Sequence, residues 1–432
     1  MPRPIPSALA AVLAMAGPAA AQAPMPAEMG PNPRLVAPDS GHDVQKYSKV
    51  TGWPEGKAPT APDGFSVTKF AGGLESPRWL LVLPNGDVLA AESTTNVKRG
   101  TLTDEKTAGQ MRSGSAGTSA DRVTLLRDED GNGTAETRTT LLEGLNQPFG
   151  MALAGDHLYV ANTDAVLRFP FKPGQTRIEA KGEKLLDLPA GGYNNHWTRN
   201  LLVSSDGRKL YVSVGSGSNV AEHGIDNEVR RANILEVNLD GSGERVFASG
   251  LRNPVGMALE PRTGQLWAAV NERDMIGDAL VPDYITSVKE GAFYGWPYSY
   301  WGDRADPRMK GQGADLVAKA VAPDYALGSH TASLGIAFAT DEALPPAWRG
   351  GAFVTQRGSW NRSTLVGYKV IYVPFADGKP SGPPRDFLTG FLADPASGAA
   401  YGRPVGTFPD GRGGLLVTDD AGNSVWRVAV RR

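Results

Sequence analysis

Residues 253–272 read NPVGMALEPRTGQLWAAVNE: a short apolar run, the turn P-R-T-G, and a second apolar run that ends in polar residues. Turn residues between two such runs specify a β-hairpin. The same phrase occurs five more times. It is SPRWLLVLPNGDVLAAES at 76–93, QPFGMALAGDHLYVANT at 147–163 and TRNLLVSSDGRKLYVSVGS at 198–216. It returns as SLGIAFATDEALPPAWRGGAFVTQ at 333–356 and RPVGTFPDGRGGLLVTDD at 403–420. A further strand with alternating polarity follows several copies: AVLRFPF, ILEVNL, GYKVIYVPF and SVWRVAV.

Copies spaced roughly 50–80 residues apart are the mark of a radial repeat. A four-stranded unit cannot bury both of its faces alone, and packing units side by side around an axis does so. The expectation is an all-β protein, a six-bladed β-propeller over residues 63–432. The extra length between copies falls in loops, chiefly 93–121 and 298–330, and no stretch reads as a long amphipathic helix.

Composition agrees. The 432 residues include 53 Gly and 33 Pro, the turn chemistry of many short strands. With 44 basic and 46 acidic residues, no basic excess is present to hold nucleic acid. Cysteine is absent, which excludes disulfides, thiolate metal sites and cysteine nucleophiles.

The first 23 residues read as a secretory signal peptide: Arg3, a short Ala/Leu/Val run, and A-x-A spacing at Ala21-Gln22-Ala23. The run is too short to span a membrane, so the expected address is periplasmic or secreted. Residues 24–62 are Pro-rich and read as a linker or an arm over the domain.

Loops that enter the first strand of each blade line one mouth of a propeller's channel. His196 lies there, in GGYNNHWTRNLL, and imidazole titrates where a general base must. Arg252 and Asn253 open the fourth copy. The acidic loop NERDMIGD offers Glu272, Arg273 and Asp274, whose carboxylates and carbonyls suit a hard cation such as Ca²⁺. Residues 128–136, DEDGNGTAE, resemble part of a calcium loop but lack its full pattern, and a plain hairpin turn explains them equally.

Together, GLRNP at 250–254, YGWPYSYWG at 294–302, GSWNR at 358–362 and the histidine before the third copy resemble soluble PQQ-dependent aldose dehydrogenases. The strings NERDMIGD and LVPDYITSV resemble the L-sorbosone dehydrogenase-like branch. The likeness covers about residues 63–432. It implies a six-bladed propeller carrying PQQ (pyrroloquinoline quinone) and Ca²⁺, with oxidation of an aldose or sugar aldehyde and transfer of electrons to a separate acceptor.

By the same resemblance His196 is the base, and Arg252 with Asn253 contacts the quinone. Gln147, Arg403 and either Arg357 or Arg362 hold the cofactor, and the loop from Glu272 through Arg273 to Asp274 holds the metal. The chain departs from glucose-oxidising relatives at Asn195, where they carry Asp, and at Tyr401, where they carry Arg. Two other readings compete: a calcium-dependent propeller lactonase, and a non-catalytic propeller that binds a partner in the cell envelope.

Overall fold

The computed structural model describes residues 25–41, 44–97, 105–340 and 342–431. The signal-peptide reading and His42 fall outside the described residues. Among them, no helix is long and apolar enough to cross a membrane.

The protein is nearly all β. Every copy of the repeat forms the first two strands of an antiparallel meander, and there are six sheets of this kind. Their first strands are Pro77–Val82, Met151–Ala154, Arg199–Val203, Pro254–Leu259, Ser333–Phe338 and Pro404–Pro409. Each first strand packs on the next, and the sixth packs on the first. The ring therefore closes by packing between sheets; each sheet is itself open. The sixth takes its outermost strand, Phe65–Gly72, from the beginning of the repeat region, paired with Ser424–Val430 near the C-terminus.

The second strands, such as Val88–Glu92, Leu266–Val270 and Ala352–Gln356, are buried along their whole length. Neighbouring sheets cover both of their faces, which is why they read as unbroken apolar runs. Outer strands such as Thr137–Leu142 face water and mix polar with apolar residues.

The glycine near the start of several copies has a steric cause. A Cβ on Gly256 would stand 2.5 Å from the Leu334 carbonyl, and one on Gly335 would stand 3.0 Å from the Gly406 Cα. Only glycine lets the first strands approach this closely.

Two expected loops are more than loops. Region 93–121 carries a short helix, Glu105–Arg112. In region 298–330, Tyr325–Ser329 is the fourth strand of its sheet, which corrects the loop reading. Its five residues are all buried and lack alternation, because Met29–Gly30 of the N-terminal segment pairs with it as a fifth strand. That segment pairs again at Lys49–Val50 with Ala399–Ala400 and packs Trp53 on Phe391 and Trp426.

Candidate functional site

Loops before and after the first two strands of the sheets converge on a cavity of about 380 Å³. His196, Arg252, Asn253, Asp274, Arg357 and Arg403 line it, so the structure unites residues from the third to the sixth sheet.

On one wall, His196 Nδ1 lies 2.8 Å from the Ser216 carbonyl. A carbonyl only accepts, so Nδ1 carries the proton and Nε2 keeps its lone pair. The Asn195 amide nitrogen donates to Nε2 at 3.5 Å. Burial and then the Arg252 charge push the imidazole pKa down to about 3, which keeps the ring neutral at ordinary pH. Gly215 makes room for this wall: a Cβ there would stand 2.3 Å from Asn253 Oδ1 and 2.8 Å from His196 Cβ. Asn253 Oδ1 is buried and has no hydrogen-bond partner.

Arg252 is 1% exposed and almost fully committed. Nε donates to the Asn219 carbonyl at 3.0 Å, Nη2 to Asn219 Oδ1 at 2.9 Å, and Nη1 to the Glu272 and Asn271 carbonyls at 2.6 and 3.2 Å. One Nη2 hydrogen remains, facing Asp274 Oδ2 at 3.5 Å. Asp274 also meets His330 Nδ1 at 3.0 Å, while His330 Nε2 lies 2.8 Å from the Gly277 carbonyl. Burial opposes the Asp274 charge, but the His330 bond and Arg252 outweigh it and hold the carboxyl below its usual range.

A second wall is cationic. Arg357 pairs with Asp420 at 2.8 Å and donates to Ser115 Oγ at 3.2 Å. Neutral oxygens hold Arg403: the Arg357 carbonyl at 3.1 Å, the Gly358 carbonyl at 2.8 Å, and Ser115 Oγ. Burial and then the Arg357 charge lower the Arg403 pKa to about 10. Tyr47 and Trp360, stacked with centroids 5.7 Å apart, line the cavity as well.

Four expected site side chains do not line the cavity. Gln147 donates Nε2 to the Thr94 carbonyl at 2.8 Å. Arg362 is drawn to Glu28 at 3.5 Å and the Ser329 carbonyl at 3.1 Å, so of the two arginines it is Arg357 that lines the cavity. Glu272 turns its carboxylate back on the Arg273 amide at 2.9 Å, and burial raises its pKa to about 7. Arg273 is buried against Asp306 at 3.3 Å. Of the acidic loop's three expected metal residues, only Asp274 presents its side chain to the cavity.

Sequence reasoning missed Arg78 and gave His330 no role. Arg78 also lines the cavity, and the signal for it was its place in the repeat. Nothing in the sequence announced His330, whose partners lie more than fifty positions earlier. The 128–136 turn gathers Asp128, Asp130 and Glu136 within 4.8 Å, away from the cavity lining.

The sequence model of the family described as TrAA12-like matches residues 59–288 and 302–431. A pyrroloquinoline quinone-dependent pyranose dehydrogenase of Coprinopsis cinerea is 24% identical over 359 residues; the match covers 72% of this chain but 44% of that protein, so the chain spans under half of that relative. The holo form of the PQQ domain of the Coprinopsis cinerea pyranose dehydrogenase superposes with a TM-score of 0.70 at 21% identity, covering 89% of this chain and 100% of that one. The calcium structure of a Trichoderma reesei carbohydrate-active enzyme of family AA12 has the same score and identity, over 89% and 98%. At this identity the two structures speak for the fold.

Proposed function

The chain belongs to the TrAA12-like family, and on that footing we propose that it is a PQQ- and Ca²⁺-dependent oxidoreductase acting on an aldose or sugar aldehyde. Residues 63–432 are read as the catalytic unit, a six-bladed propeller with one sheet per blade. The single observation that carries the reading is the pairing, in one cavity, of a neutral histidine protonated on Nδ1 and a buried wall of guanidinium groups.

The residues fit the cofactor. PQQ carries three carboxylates, and Arg is the side chain suited to bidentate carboxylate binding. Arg357 and Arg403 supply that grip, and Asn253 Oδ1 is a polar atom still lacking a partner. Asp274, kept ionised, is a hard oxygen donor for Ca²⁺, with the loop carbonyls from Glu272 to Asp274 beside it. When bound, the quinone accepts hydride and the cation polarises its carbonyl.

The chain's own residues do the rest. His196 Nε2 takes the hydroxyl proton of the sugar, or of an aldehyde hydrate, as the C–H hydride departs. The Ser216 carbonyl fixes the tautomer that makes this transfer possible. Arg252, locked by four bonds, holds its positive charge beside the developing negative charge. Oxidation removes one hydride and one proton, giving a lactone from an aldose or an acid from a hydrated aldehyde. The electrons pass to a separate carrier, and the leader sequence sends the enzyme to the periplasm or outside the cell. Within the aldoses and sugar aldehydes, a sorbosone-like aldehyde is the substrate suggested by NERDMIGD and YGWPYSYWG.

The test is direct. Protein purified without cofactor is titrated with PQQ and Ca²⁺, and the quinone absorbance is followed before and after a panel of aldoses and sugar aldehydes. Saturable uptake, bleaching by at least one sugar, and loss of activity in excess chelator are expected. Absence of uptake, or full activity after verified metal removal, would overturn the reading.

A further inference from the structure

Aligned on the glycine near their starts, four copies of the repeat place an apolar residue just before it: Phe149, Val255, Leu334 and Val405; the third copy has no such glycine and reads Arg199-Asn200. All four meet in one central apolar cluster with Trp79 and Trp197. In the first copy, that position is Arg78. A guanidinium among these residues does nothing for packing that a Val or Phe would not do better.

Its surroundings are short of negative charge. Arg78 is 7% exposed, lies 5.4 Å from Trp197 and 5.7 Å from Phe149, and shares its single carboxylate, Asp420, with Arg357. Its Nε is buried and has no hydrogen-bond partner, although the residue lines the cavity. Arg403 completes a trio of guanidinium groups around one acid. A buried excess of positive charge is costly unless an anion completes it.

We infer that Arg78 is a third anchor for the carboxylates of the bound cofactor, placed by the first sheet beside Arg357 and Arg403. This rests on the PQQ reading above and assigns the residue within it. Arg78 is a binding residue; it lies 5.4 Å from Trp197, the residue that follows His196, but takes no proton. The cation is a liability while the cavity is empty and an asset once it is filled.

That contrast provides a test with two readouts of opposite sign. Arg78→Met keeps an apolar stem for the Trp197 and Phe149 faces and leaves Asp420 paired with Arg357. PQQ binding is measured by quenching of tryptophan fluorescence, and stability by thermal melts without and with PQQ. The expected result is Kd raised roughly ten- to a hundredfold, cofactor-free Tm equal to or above wild type, and a smaller rise in Tm on adding PQQ. Arg78→Lys, which keeps charge but loses the planar fork, should fall between. A purely structural Arg78 predicts the reverse: lower cofactor-free Tm and unchanged Kd. Wild-type affinity in both variants overturns the assignment while leaving the PQQ reading intact; failure of wild type to bind PQQ overturns both.

Discussion

The two walls of the cavity are built on opposite plans. On the His196 wall nearly every polar atom is committed: Ser216 fixes the imidazole, four bonds hold Arg252, and His330 braces Asp274. On the other wall, Arg357 has a carboxylate in Asp420 while Arg403 is held only by neutral oxygens. The first wall is held in place by its own bonds, with Asn253 Oδ1 left unpartnered, as positions for proton transfer need to be fixed. The second is completed by an anion. The difference teaches a division of labour: one wall for rate, the other for affinity.

Changes on the rate wall should be the largest. His196→Gln keeps the shape and a polar end but removes the base, so single-turnover cofactor reduction should slow by about 10²–10⁴-fold in stopped-flow absorbance. A near-normal rate would place the base elsewhere.

On the affinity wall, Arg403→Ala should weaken PQQ binding by roughly ten- to a hundredfold in a fluorescence titration. Turnover at saturating PQQ should change little, because a grip far from the reacting carbon acts on ground and transition states alike. An unchanged titration would show that Arg403 does not touch the cofactor.

Gly215→Ala sharpens the comparison sterically. The new Cβ would press on both Asn253 and His196, and overpacking of this kind costs about 1–3 kcal/mol. Thermal melts should show lower stability, and PQQ affinity should fall less than in Arg403→Ala.

The smallest effect is on stability against pH. Below about pH 6.5 an unfolded His196 takes up a proton, while the folded one stays neutral down to about 3. The unfolded chain then binds more protons, so this residue costs wild type stability as pH falls through that window. His196→Gln lacks that cost and should gain on wild type in melts at pH 4.5 relative to pH 7. A constant difference between the two proteins would mean that His196 titrates normally.

The hairpins were legible because P-N-G-D, S-D-G-R and P-R-T-G turns are local chemistry. Tyr325–Ser329 was not, because its burial depends on a partner strand almost three hundred residues away. The site divides in the same way. His196, Arg252, Asn253 and Arg403 stand at or just before repeat starts, where position in the copy announces position in space. Arg357 and Arg362 looked equivalent until Glu28 claimed one of them. Arg78 could have been found from the repeat, as a charge where four other copies carry Phe149, Val255, Leu334 and Val405. His330 could not, since its two partners lie on a loop whose path is set by packing.

The division of labour is tested most directly by reading two quantities, PQQ Kd and the single-turnover reduction rate at saturating PQQ, on the same pair of variants. The expected pattern is crossed: Arg403→Ala moves Kd and spares the rate, while His196→Gln moves the rate and spares Kd. If both variants shift both quantities together, or if the pattern is reversed, the cavity does not divide affinity from chemistry between its two walls.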